Sequence, residues 1–175
     1  MSIILRLAVI WCVLVFPAFA GTLRSVEGVV TRVTDGDTIQ LVDHAGTKLR
    51  VRFFGIDAPE TAHTGKPGQP YGDEAAAALK TKVSGQRVRL DIQAVDQYHR
   101  VVAIVMLSGR DVNKEMVAEG WAWAYRQYLD RPHASAYIRA EEEARSSRLG
   151  LWQQGNTQPP WAFRRSIRKG GGNFE

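Results

Sequence analysis

Residues 26–56 read VEGVVTRVTDGDTIQLVDHAGTKLRVRFFGI. Val26 to Thr34, Thr38 to Val42 and Lys48 to Ile56 are rich in β-branched and aromatic side chains, which suit a pleated, half-buried surface. Between them stand Asp35-Gly36 and His44-Ala45-Gly46, both turn formers. Three such runs with two short turns read as a three-stranded meander.

Further along, Asp73 to Val83 is alanine-rich, opens on two acids and stops before Ser84-Gly85, the pattern of a helix. Arg87 to Ile92 and Val101 to Leu107 read as two more strands, and Val112 to Ala118 as a short helix ended by Gly120. A last helix is expected from about Ala134 to Arg148, with Ala136, Ile138, Ala140 and Ala144 as an imperfect small apolar face, ending at Gly150. Five strands with three helices make an α+β domain, and a five-stranded barrel with an intervening helix is the oligonucleotide-binding (OB-fold) architecture. Such a fold leaves function open.

The ends read differently from the middle. Met1 to Ala20 carries one charge, Arg6, then an apolar run from Leu7 to Phe16, then Ala18-Phe19-Ala20, which is the layout of a signal peptide cleaved before Gly21. The alternative is an uncleaved anchor, but the run is short of the roughly 20 apolar residues that span a bilayer. A secreted or periplasmic protein is expected, with residues 21–163 as one domain and 164–175 as a basic disordered tail. The single cysteine, Cys12, lies within the leader, so the mature domain must hold together without disulfides. A formal net charge of +5, one unit lower without Arg6, mildly favours polyanionic partners.

Two short segments hold the densest chemistry: Asp35-Gly36-Asp37-Thr38, and Arg52 through Thr61, which reads RFFGIDAPET. Asp37 opens the second strand and Asp57 closes the third after apolar Phe53, Phe54 and Ile56. A carboxylate at the end of a buried strand needs a partner, and a hard cation coordinated by oxygen is one. Pro59 removes an amide donor and leaves the Ala58 carbonyl free as a further ligand, with Glu60 beside it. The four histidines are scattered, so an oxygen-only site suits calcium better than zinc or copper. Asp-Gly is also the commonest hairpin turn signal, and by itself this segment reads more simply as such a turn. Arg52 and Asp57 would face opposite ways on an unbroken strand, unless Gly55 rotates them together.

A second group is Asp96-Gln97-Tyr98-His99-Arg100, where Tyr98 and Arg100 can share a face and the guanidinium suits a phosphate. Taken alone, the segment reads more simply as a surface turn with an extended arginine. Trp121 and Trp123 alternate with alanines as core residues do, whereas Tyr125 and Tyr128 are credible ligand contacts.

In this order the residues resemble the staphylococcal nuclease family: Asp-Gly-Asp-Thr, then Arg-x-x-x-x-Asp-x-Pro-Glu, then Asp-x-Tyr-x-Arg, over about Val26 to Trp152. Pro159-Pro160-Trp161 followed by Arg164-Arg165 is similar to bacterial members as well. The resemblance implies a calcium-dependent nuclease acting on DNA and RNA and leaving 3′-phosphate ends. It implies that Asp37 and Asp57 bind Ca2+ through carboxylates and Ala58 through its carbonyl, with Asp35 as a neighbouring acid behind them. Arg52 and Arg100 would hold the scissile phosphate, Glu60 would activate water, and Tyr98 and Tyr125 would contact nucleotides. Tyr128 is the candidate for a second stacking tyrosine. Gln97 and His99 depart from a lysine and a glycine of the best-known member. A monomer is expected, and the competing reading is a non-catalytic OB-fold nucleic-acid-binding module.

Overall fold

The computed structural model describes residues 25–170 apart from 64, 66, 130, 131 and 156, so the expected leader lies outside the described residues. Eight strands run in chain order: β1 Ser25–Asp35, β2 Thr38–Asp43, β3 Lys48–Phe53, β4 Ile56–Asp57, β5 Arg87–Val95, β6 Val101–Leu107, β7 Arg110–Asp111 and β8 Trp123–Ala124. The helices are α1 Gly72–Val83, α2 Val112–Ala118, α3 His133–Ser146 and α4 Pro160–Gly170.

The main sheet has the order β3-β2-β1-β5-β6-β7, and an extra parallel pairing of β3 with β6 closes five of its strands into a barrel. That seam pairs Val51 with Val101, Arg52 with Val102 and Phe53 with Ala103. Closure removes the free edges on which a meander would otherwise aggregate. Residues at every second position point inward, as strand geometry requires: Ile39 and Leu41, Val51 and Phe53, Val88 and Leu90, Ala103 and Val105 are all almost wholly buried. Ala75, Leu79 and Val83 bring α1 onto this core, as do Val112, Met116 and Val117 for α2. Each large aliphatic or aromatic side chain so buried contributes about 1.5–3 kcal/mol.

The five-stranded α+β barrel expected from the sequence is thus present, with three differences. The third expected strand ends at Phe53 and resumes at Ile56 because Gly55 adopts φ 70°, and the short β4 then pairs with β8 instead. In α3 the expected Ala140 and Ala144 face inward, but the buried stripe is completed by Tyr137 and Glu141 in place of Ala136 and Ile138. Tyr137 anchors this stripe, and its hydroxyl donates to Asp111 at 2.8 Å. The third difference is α4, which occupies the stretch where a disordered tail was expected from residue 164. Pro160 fits the first turn of a helix, where a missing amide costs nothing. The Pro159 carbonyl accepts the Ala162 and Phe163 amides, and Trp161 packs against the Trp123 cluster. Residues 171–175 lie outside the described residues. Among the described residues no helix is long and apolar enough to cross a membrane.

A buried asparagine stitches the seam. Asn113 Nδ2 donates to the Phe54 carbonyl at 3.0 Å and the Ala103 carbonyl at 3.1 Å, and its Oδ1 accepts from the Val105 amide at 3.0 Å. Asn113→Ala would strand these groups away from water, and we expect it to cost about 2–4 kcal/mol in urea unfolding. A loss below about 0.5 kcal/mol would mean that water can take over the role of the amide.

Candidate active site

The tight turn between β1 and β2 is the first fixed point. A Cβ on Gly36 would lie 2.7 Å from the Ala58 Cβ and 2.8 Å from the Ala75 Cβ, so glycine is needed for close approach. Wedged there, Asp37 accepts the Ala58 amide on Oδ2 at 2.7 Å and the Thr38 hydroxyl on Oδ1 at 3.1 Å. Its carbonyl accepts the Phe53 amide at 2.8 Å. The segment is therefore both a hairpin turn and a support for the carboxylate.

Gly55 supplies the second. Its left-handed conformation reverses the facing of the chain, so Arg52 and Asp57 meet: Nη2 donates to Asp57 Oδ1 at 2.6 Å and to the Ile56 carbonyl at 3.2 Å. The other terminal nitrogen of Arg52 contacts Asp37 Oδ2. Asp37 is 4% and Asp57 0% exposed. Carboxylates buried so deeply are retained only when paired.

Around this pair stand the remaining acids. Glu60 is partly exposed, and its backbone is gripped by Gln69, whose amide donates to the Glu60 carbonyl at 2.8 Å. Gly72 packs on the same carbonyl, 2.2 Å from where a Cβ would sit. Asp35 accepts the Asp37 amide at 3.2 Å. Burial pushes the Asp35 carboxyl up from its ordinary range, against the opposing pull of Arg52, a hydrogen bond from Thr38, and the charges of Arg100 and His63.

Arg100 reaches the same side through the seam. Arg52 is opposite Val102, and Arg100 precedes Val102 by two residues, so both arginines share a face of the barrel wall. The turn before β6 is organised by Asp96, whose Oδ1 accepts the Tyr98 and Arg100 amides at 2.9 Å each and whose Oδ2 accepts Arg100 Nε at 2.8 Å. Burial opposes ionisation of Asp96, but these hydrogen bonds outweigh it and hold the carboxyl below its ordinary value. The Arg100 guanidinium lies 5.5 Å over the Tyr98 ring.

The tyrosines divide into two groups. The Tyr125 amide donates to the Gly55 carbonyl at 2.8 Å, extending the β4–β8 pairing in which Asp57 faces Trp123. Tyr125 and Tyr128 meet edge to face at 4.7 Å. Burial raises the Tyr125 hydroxyl, followed by the nearby Asp57 charge. Tyr98 instead stays with Arg100 and is 63% exposed.

Sequence reasoning missed the residues brought by α4. Arg164 places Nη2 2.9 Å from Asp57 Oδ2, and Nη1 3.1 Å from Asp57 Oδ1 and 2.5 Å from Glu60 Oε1. Trp161 stacks on Tyr125 at 5.0 Å with the rings 2° from parallel. The signal available was Pro160 followed by residues without a helix breaker until Gly170.

The Asp37 and Asp57 carboxylates, brought together on Arg52, are oxygen donors of the kind that suits a hard divalent cation. Among the described residues no group of three or more His, Cys, Asp and Glu side chains converges as a metal cage, so the ion would depend on two carboxylates plus backbone and water oxygens.

The barrel, with two buried carboxylates and two arginines on one face, has the oligonucleotide-binding architecture. The family profile described as "Staphylococcal nuclease homologue" matches residues 50–154. The chain is 38% identical over 151 residues to "Micrococcal nuclease" of Shigella flexneri, covering 81% of this chain and 82% of that protein. It is 35% identical over 136 residues to "Uncharacterized endonuclease" of Haemophilus influenzae, covering 78% and 71%. It is also 38% identical over 173 residues to "Protein ParB" of Escherichia coli, covering 92% and 90%. The chain belongs to the staphylococcal nuclease homologue family.

Asp96 is the support for Arg100 that the resemblance did not assign. Asp96→Ala should leave β5 and β6 intact while speeding amide hydrogen exchange at Tyr98 and Arg100 about tenfold, the loss of one hydrogen bond each. Unchanged exchange at both amides would show that the turn is held by other contacts.

Proposed function

We propose that this protein is a calcium-dependent nuclease that hydrolyses phosphodiester bonds of DNA and RNA. The observation that carries the reading is the convergence of Asp37, Asp57 and Arg52: two buried carboxylates, one at the β1–β2 turn and one in β4, share one guanidinium, and Asp37 is also fixed by the Ala58 amide. The names "Micrococcal nuclease" and "Uncharacterized endonuclease" among the relatives support the same class.

In this reading Asp37 and Asp57 hold the ion through their carboxylates and Ala58 through its carbonyl. Bound calcium supplies positive charge at a non-bridging phosphate oxygen and makes nearby water more acidic. Arg52 and Arg100, on one face, bind the remaining oxygens of the scissile phosphate and stabilise the charge that builds there during attack. Glu60, exposed enough to reach solvent, accepts the proton of the attacking water. Asp35 lies behind Asp37 and holds its turn. Tyr98, Tyr125 and Tyr128 contact the flanking nucleotides. Attack breaks the bond from phosphorus to the 5′ oxygen, leaving a 3′-phosphate and a 5′-hydroxyl. Contacts of this kind address the backbone, so both DNA and RNA serve as substrates.

The direct test is degradation of heat-denatured DNA by the purified protein with calcium and with excess chelator. Asp37→Ala and Asp57→Ala should abolish calcium-dependent cleavage. Full activity in either variant, or in chelator, would remove the proposed site.

A separate kinetic outcome is expected for the arginines. Arg52→Lys and Arg100→Lys should each lower kcat on single-stranded DNA by at least about a hundredfold, as for loss of one preorganised donor. KM should change much less, because the contacts strengthen mainly in the transition state. A steep rise in KM at constant kcat would reduce both residues to gripping the polyanion.

A further inference from the structure

The profile match ends at residue 154, yet α4 beyond it supplies one of the two guanidinium groups that pair with Asp57. The first turn of α4 is rooted beside the site. Trp161 lies flat on Tyr125 and edge-on to Trp123 at 6.5 Å, and the Gln69 side-chain amide, on the segment that grips Glu60, bonds the Gln158 carbonyl just before the helix. Arg165 to Arg168, by contrast, are exposed. The helix is thus held at one end, with Arg164 at the boundary.

Arg164 makes a two-pronged contact with Asp57. Oδ2 receives Nη2, Oδ1 receives Nη1 together with Arg52, and Nη1 also meets Glu60. A carboxylate has about four lone-pair positions, and a guanidinium fork across both oxygens takes the inward-facing ones. A divalent cation on Asp57 needs the same oxygens, and would sit within a few ångströms of a like charge in a poorly solvated site. The two occupants exclude each other.

We propose that Arg164 is an exchangeable counter-ion of the carboxylate site: it neutralises Asp57 and Glu60, leaves them when a divalent cation binds, and so sets the cation affinity of the protein. The proposal rests on Asp57 being a cation ligand. Apparent affinity is reduced by the fraction of molecules in which Arg164 is engaged. Because Arg164 is about a third exposed, solvent screens its pairing and its hold is moderate. Release frees the body of α4 while Trp161 keeps the helix at the site.

Isothermal titration of calcium chloride into the unsubstituted protein, Arg164→Gln, Arg164→Lys and Asp57→Ala tests this, together with amide hydrogen exchange of residues 162–168. Arg164→Gln should bind calcium about five- to tenfold more tightly, and Arg164→Lys, which keeps the charge without the fork, should fall between. In the unsubstituted protein calcium should accelerate exchange in α4. Equal or weaker calcium binding by Arg164→Gln, or slower exchange in α4 on adding calcium, overturns the proposal. If calcium binding is lost in Asp57→Ala but unaltered in Arg164→Gln, the calcium site stands and the exchange falls. Absence of calcium binding by the unsubstituted protein overturns both.

Discussion

The Asp37 carboxylate accepting the Ala58 amide ties the first hairpin to the residue that follows β4, and the site is arranged around that tie. It can form only because Gly36 lets the turn sink between Ala58 and α1. Once Asp37 is fixed there, Arg52 can bridge it to Asp57, and the reversal at Gly55 brings the two within reach. Burial of two carboxylates would be costly in isolation, and their shared guanidinium offsets it. The core therefore supports a polar cluster at its margin, where close packing holds charged groups in one geometry.

The barrel seam extends this order to the second arginine. Parallel pairing of β3 with β6 sets Arg52 and Arg100 on one face, and Asn113 locks the seam from inside. Asp96 then orients the Arg100 side chain through Nε. Asp37 is thus held by a backbone amide of a distant segment and Arg100 by a carboxylate of its own turn, and rigid supports of this kind position reactive groups.

The region after residue 154 alters the electrostatics of the site. The stack of Trp161 on Tyr125 and the fork of Arg164 on Asp57 come from the same helical turn, three residues apart. The Tyr125 ring and the Asp57 carboxylate are covered together. The fold thereby couples the outer helix to the carboxylates.

Much was legible in the chain itself. Alternating β-branched residues, the Asp35-Gly36 turn and the alanine-rich run of α1 are local patterns with local causes, and they specify the five strands and three of the helices. The ordered carboxylate and arginine motifs specified the family in the same way. The facing of Arg52 toward Asp57, the Asp37–Ala58 bond, the role of Asn113, the stack on Tyr125 and the reach of Arg164 were settled only by the tertiary structure. Those contacts join residues far apart in the chain or depend on one glycine torsion, and periodicity carries no information about either. Even α4 had a start signal at Pro160, but its basic composition pointed to solvent; what orders it is packing on Trp123 and Tyr125 and pairing with the buried Asp57, contacts that exist only once the chain has folded.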